Sequence, residues 1–220
     1  MLRKFLLRFK VQKEPLDKGS SLFLEGNDPM WLFVGLGNPG GEYAKNRHNI
    51  GFMAIDAMAN SFPIFGAFRS KFQGQVSEGR LGNSKVILLK PETYMNNSGQ
   101  SVAACAKFYK IEAENIIVFH DELDIAPSDV RIKQGGGNAG HNGLKSMQAH
   151  MGTADFWRVR LGIGRPNHAG AVSNYVLDNF SKAEQEWLSP LVQYLGDKAD
   201  VIVKDSPKAY EKVIKECMKI

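Results

Sequence analysis

One stretch constrains this chain more than any other: Gly35-Leu-Gly-Asn-Pro-Gly-Gly-Glu-Tyr-Ala-Lys-Asn-Arg-His-Asn-Ile-Gly51. Before it, Trp31 to Val34 form a short apolar run that reads as a buried strand. After it, Ile50, Met53, Ala54, Ala57 and Met58 recur at helical spacing. The glycines, a proline, asparagines and His48 therefore occupy a strand-to-helix turn, the position where open α/β sheets bind ligands. Gly35, Gly37 and Gly40 also match the dinucleotide pattern G-x-G-x-x-G, but the context speaks against a nicotinamide or flavin site. Ile50 lies ten positions after Gly40, whereas a dinucleotide turn runs straight into its helix. Pro39 removes a backbone N–H from a loop that would have to donate to phosphate. The nearest acid, Asp56, falls inside the helix rather than at the end of a second strand.

The same grammar recurs downstream. Phe72 to Arg80 alternates loosely like a strand, and Lys85 to Leu89 is a continuous apolar run that reads as a buried one. Asn96 then precedes a helix whose apolar face is Val102, Cys105, Ala106 and Tyr109. This segment alone leaves open whether Asn96 serves the turn or a site. Ile116 to Phe119 is the next strand, and it runs into His120-Asp121-Glu122. Three contiguous candidate ligands suggest a metal, yet neighbours on a strand point to opposite faces. No HExxH or comparable spacing is present, so no metal and no cofactor are expected. Val130 to Gln134, carrying Arg131 and Lys133, leads into a loop of glycines, residues 135–143, that holds His141 and Asn142. Leu144, Met147 and Met151 open another helix, and Trp157 to Leu161, carrying Arg160, alternates like a strand. Residues 164–170 read as a mobile loop, a candidate lid. The C-terminal fifth is helical packing, opened by the capping box Ser181-x-x-Glu184 and, later, by Ser206-Pro207.

At 220 residues, without internal repeats, one domain is the simplest count. The excess of five basic residues is mild; it permits a nucleic-acid partner without demanding one. Cys105 and Cys217 lack metal or CxxC spacing and sit on apolar helical faces, which suits buried reduced thiols. No run of 18 apolar residues exists, so no membrane span is expected. Residues 1–29 stand apart. Arg3, Lys4, Arg8, Lys10 and Lys13 precede the first acid, Glu14, as in a mitochondrial presequence. Glu25 and Asp28, and the lack of an arginine- and serine-rich run, argue against that. Met30 stands one residue before the first strand, so 1–29 is expected to be a disordered tail or a misplaced start, with the domain at 30–220.

Asn38, His48, Asn96, Asp121, His141 and Asn142 all lie at strand ends or helix starts, positions that can share one edge of a sheet. A neutral imidazole takes a proton from water near pH 7. A carboxylate on its other nitrogen fixes the tautomer, and amide N–H groups stabilise an oxyanion. That kit suits hydrolysis of an activated ester without a covalent intermediate, since no serine or cysteine sits on a G-x-S-x-G elbow.

Five motifs carry a resemblance. Gly-Leu-Gly-Asn-Pro-Gly, Arg47-His48-Asn49-x-Gly51, Tyr94-Met95-Asn96-x-Ser98-Gly99, His120-Asp121-Glu122-Leu123-Asp124 and Gly-Gly-Gly-x-x-Gly-His141-Asn142-Gly143 occur in this order. In them the chain resembles the bacterial-type peptidyl-tRNA hydrolases from about Met30 to the C-terminus. The resemblance implies a single α/β domain, a twisted mixed sheet flanked by helices in three layers, acting as a monomer in the cytoplasm. Mitochondria are the alternative if 1–29 is a presequence. It implies metal-independent cleavage of the ester joining a peptide to tRNA, engaged through its acceptor stem and 3′-terminal adenosine. On that pattern His48 is the general base, Asp121 holds it, and Asn38 helps select an N-blocked peptidyl group. Asn96 and Asn142 bind the substrate's carbonyl and backbone, and Tyr43 and Tyr94 contact peptide or adenosine. Lys133 and Arg160 clamp the 5′-phosphate, and His141 lies in the cleft with no assigned role. The alternative is an RNA-binding protein of the same fold that has lost turnover, as some relatives in organellar splicing have.

Overall fold

The computed structural model describes residues 29–166 and 171–219; the expected tail and most of the candidate lid lie outside them. Four strands make the centre of the fold: β1 (Trp31–Gly35), β4 (Ser84–Pro91), β5 (Ile116–Glu122) and β7 (Trp157–Gly162). They lie parallel, and β2 (Arg69–Lys71), β3 (Gly74–Leu81) and β6 (Val130–Gln134) complete a seven-stranded mixed sheet in the order β2-β3-β4-β1-β5-β7-β6. Both faces are covered, which is why β1 and the middles of β4 and β5 are continuously apolar. Phe33, Leu88, Ile117, Phe119, Val159 and Leu161 face α1 (Ile50–Ser61), α5 (Gln185–Asp197) and α7 (Pro207–Met218). Leu32, Val34, Ile87, Leu89 and Val118 face α2 (Ser98–Tyr109) and α3 (Asn142–Met151). The three-layer α/β reading holds.

Several local expectations change. The loose run from Phe72 opens on a tight turn at Phe72 and Gln73, whose φ angles are 54° and 53°, which joins β3 to the unanticipated β2 before it. Hairpin turns of that hand favour Gly and Asn. Here the strain is offset by stacking of Phe72 on Phe108 and Tyr109, with ring centres 5.2 and 5.8 Å apart. Cys105 is buried, and burial pushes its thiol up to about 12, but Cys217 is only half-buried. A helix the sequence reading did not anticipate, α4 (Val172–Leu177), follows the candidate lid; the short α6 spans Val201–Lys204.

Two glycines position the site. A Cβ on Gly35 would lie 2.3 Å from the Gly51 carbonyl oxygen, and one on Gly51 would lie 2.3 Å from that of Phe119. Only glycine lets the start of α1 press onto the ends of β1 and β5, and the residues just ahead of α1 include His48. At the outer edge, β6 presents Ile132 N–H and C=O away from β7. The carboxylate of Glu211 accepts from that N–H at 2.8 Å, and the Lys208 ammonium donates to the carbonyl. Both come from α7, started by Pro207 and capped by Ser206, whose Oγ accepts from the Ala209 N–H.

Candidate active site

His48 sits in a one-turn 3-10 segment, Arg47–Asn49, that leads into α1. Its Nδ1 lies 2.8 Å from Asp121 Oδ1 at the end of β5. His141 Nε2 lies 3.0 Å from the same oxygen. The tautomers follow from the partners. His141 Nδ1 accepts from the N–H groups of Gly143 (3.1 Å) and Leu144 (3.4 Å) as the N-cap of α3. Its proton is therefore on Nε2 and is donated to Asp121. Asp121 is 3% exposed and ionised, so His48 donates from Nδ1 and keeps a lone pair on Nε2. Burial alone would raise the Asp121 carboxyl; the two histidines outweigh it and hold the group far below the usual carboxylate range. Burial lowers His48 while the charge and hydrogen bond of Asp121 raise it, with a net upward shift.

A third imidazole backs this pair. His120 is buried, donates from Nδ1 to the Asp121 backbone carbonyl at 2.7 Å and stands edge-on to His141, with ring centres 5.0 Å apart. Burial first, then the neighbouring His141, push it down to about 3, so it stays neutral. Its Nε2 has no partner among the described residues.

Asn38 is fixed on three sides. Its N–H donates to Asn49 Oδ1 and its carbonyl accepts from Asn49 Nδ2, both at 2.9 Å, and its Oδ1 accepts from the Met95 N–H at 2.8 Å. The remaining group, Nδ2, is an amide donor left for the cavity. That cavity, of about 790 Å³, is lined by Asn38, Tyr43, His48, Tyr94, Asn96, Asp121, His141 and Asn142. Lys133 and Arg160 are outside its lining, on β6 and β7, and Arg160 Nε donates to Glu122 Oε2 at 3.0 Å.

His141 reaches the site by an unexpected route. Strand β6 runs antiparallel to β7, with Gln134 opposite Trp157, so it ends at the far end of the sheet. The glycine loop must then climb back past β7 to bring His141 to Asp121. The sequence also did not reveal the opposite wall, where Val172, Ser173, Val176 and Leu177 of α4 line the cavity. Nor did it reveal what holds that wall. Arg47 is buried, pairs with Glu184 through two nitrogens (3.2 and 2.9 Å to its two oxygens from one of them) and donates to the carbonyls of Tyr175 and Asp178. The capping box Ser181–Glu184 forms as expected, and its acid doubles as this anchor. The only sequence signal was Arg47 beside His48.

The ligand atoms of His48, Asp121 and His141 lie within 4.8 Å of one another, as a divalent cation would need. A cation there would displace the His141 Nε2 proton to Nδ1, where two backbone N–H groups already point.

Known proteins share this arrangement of fold and sequence. A family model described as peptidyl-tRNA hydrolase matches residues 32–219. A peptidyl-tRNA hydrolase of Cereibacter sphaeroides (strain KD131) is 55% identical over 185 residues, which cover 84% of this chain and 81% of that one. One from Ruegeria sp. (strain TM1040) is 59% identical over 170 residues, 77% of this chain and 68% of that one. The crystal structure of peptidyl-tRNA hydrolase from Acinetobacter baumannii matches with a TM-score of 0.79 at 39% identity, covering 85% of this chain and 95% of that one. The chain belongs to the peptidyl-tRNA hydrolase family.

Proposed function

We propose that this chain hydrolyses the ester between the peptide and the terminal ribose of peptidyl-tRNA, with His48 as general base and without a metal. The observation that carries the reading is the 2.8 Å contact of His48 Nδ1 with a buried, ionised Asp121, which leaves Nε2 basic in the same cavity as the free amide of Asn38. His48 Nε2 takes a proton from water, and the oxygen attacks the ester carbon. Asp121 stabilises the imidazolium. The tetrahedral intermediate then expels the ribose oxygen, which receives the proton from His48, leaving a free tRNA hydroxyl and the peptide carboxylate. The amides of Asn96 and Asn142 hold the carbonyl oxygen and the peptide backbone, and the free amide of Asn38 helps select an N-blocked peptidyl group. Tyr94, 60% exposed at the rim, and Tyr43 offer faces for the peptide or the terminal adenosine. Lys133 and Arg160 take the 5′-phosphate as charge-assisted contacts. We place this activity in the cytoplasm, with the chain acting as a monomer.

The test is release of N-acetyl amino acid from N-acetyl-aminoacyl-tRNA with EDTA present, comparing wild type with His48→Ala and using free aminoacyl-tRNA as control. Turnover of the blocked substrate alone, reduced by about 10²–10⁴-fold in the variant, is expected for loss of a general base. Loss of turnover in EDTA would defeat the metal-independent reading. Tight tRNA binding without turnover would favour the RNA-binding alternative.

A further inference from the structure

Strands β6 and β7 carry four cations on one face. Lys133 lies opposite Arg158 and Arg131 opposite Arg160, while Val130, Ile132, Val159 and Leu161 fill the core on the other face. Arg131 pairs with Asp129 and Arg160 with Glu122. Among the described residues no carboxylate comes within ion-pair distance of Lys133 or Arg158. Arg158 is the stranger of the two, because it is fully buried. Its fork donates to the Gly137 carbonyl at 2.7 Å and reaches the Ala154 carbonyl at 3.5 Å. Its guanidinium lies 4.8 Å from the Phe156 ring centre, and among the described residues its Nε has no partner. A buried charge without a counter-charge is strongly unfavourable unless something offsets it.

The glycine loop supplies the context. Gly135 and Gly136 have φ of 66° and 92°. A side chain at Gly136 would meet Lys133 Nζ at 2.9 Å, so the ammonium rests on the loop. A backbone carbonyl facing outward here would repel an anion arriving at Lys133. Arg158 turns the Gly137 carbonyl inward and adds its own positive field behind the loop. We propose that Arg158 is a positioning residue of the phosphate site: it holds the glycine loop so that Lys133, and not a carbonyl, meets the 5′-phosphate of the substrate. This rests on the reading above, in which Lys133 and Arg160 hold that phosphate.

The experiment compares kcat/KM for N-acetyl-aminoacyl-tRNA carrying a 5′-phosphate with the same substrate dephosphorylated to a 5′-hydroxyl. It uses wild type, Lys133→Ala, Arg158→Met and Arg158→Lys, with Tm measured for each. Wild type is expected to prefer the phosphorylated substrate. Arg158→Met is expected to reduce that preference roughly tenfold, the scale of one hydrogen bond to a charged group, with Lys133 and Arg160 still present. Arg158→Lys should recover part of it. If Arg158→Met lowers both substrates by the same factor, Arg158 is only packing and the proposal falls. If Arg158→Met does not fold, Arg158→Lys decides alone: a reduced preference supports the proposal and an unchanged one overturns it. A wild type that turns over both substrates equally would remove the phosphate clamp, and this proposal with it, while leaving the His48 chemistry standing.

Discussion

The histidine knot around Asp121 and the cationic ribbon of β6 and β7 touch, since His120 pairs in register with Arg160, yet they use charge in opposite ways. The knot buries one carboxylate and surrounds it with three imidazoles, each hydrogen-bonded to a fixed partner. The ribbon sets four cations against two acids and leaves part of that charge near solvent. Burial first, with Arg160 and Arg158 adding to it, holds Lys133 below its ordinary value, the mark of a cation short of counter-charge. A buried knot is shielded from salt and answers to protons, whereas an exposed cationic surface answers to salt. On the function proposed above, the knot would set the rate and the ribbon the encounter.

The largest effect that would break this contrast is Asp121→Asn. The variant loses the carboxylate that holds the His48 tautomer and receives the His141 proton, and kcat should fall by about 10²–10⁴-fold. Single-turnover release at low and high salt should show the same factor; a factor that shrinks with salt would put the knot in the same class as the ribbon. Next is Asn96→Ala, which on the proposed reading removes one donor to the developing oxyanion and should lower kcat by about 10²–10³-fold with little change in tRNA affinity. Lys133→Ala should do the reverse. Chemistry at saturating substrate should persist, while the slope of log K against log salt should flatten by about 0.7–0.9, the loss of one phosphate contact. An unchanged slope would take Lys133 out of the clamp.

The smallest effect at neutral pH concerns stability. His120 is depressed to about 3 in the fold, so as pH falls below the ordinary histidine value the unfolded chain takes up a proton that the folded one refuses. Its stabilising contribution is complete above about pH 6.5 and declines below it by up to about 1.4 kcal/mol per pH unit. His48 is raised in the fold, so its contribution is already complete below its unfolded value and adds no slope there. Asp121 is depressed, so its contribution persists until pH falls below the unfolded carboxylate range. Urea unfolding between pH 6.5 and 4 should therefore show a shallower decline in His120→Asn than in wild type. Parallel declines would mean that His120 is not held neutral.

How much of this was legible in the sequence depends on distance along the chain. The turn from Gly35 to Gly51 announced its strand, its helix and its histidine because local period and local chemistry agree there. The apolar runs of β4 and β5 were equally plain, as strands buried on both faces are, and β7 showed itself by alternation. Arg47 and Glu184 are 137 positions apart, and no local pattern reports that they meet. Helix α4 is only six residues long and follows a segment rich in turn formers, so its periodicity is too short to read. Arg158 looked like the polar half of an alternating strand; alternation says which face a side chain takes but not that the face is covered. The route of His141 was hidden for a related reason. The glycines marked a loop of close approach, but the antiparallel direction of β6, which makes that loop a climb, is a fact of sheet topology.

The grip of α7 on Ile132 has a further consequence. The outermost strand of a sheet is a template, because its free N–H and C=O groups invite another strand to dock. Glu211 and Lys208 occupy both groups of Ile132 from within the chain. A strand from a second copy would first have to evict two charged side chains, one of them also bonded to Lys215. The opposite margin is guarded differently: β2 is three residues long, exposed, and carries Arg69 and Lys71. A strand approaching this mixed sheet thus meets a pair of charged side chains at one margin and a short, cationic strand at the other, and the strand that bears Lys133 keeps its cationic face turned toward the glycine loop.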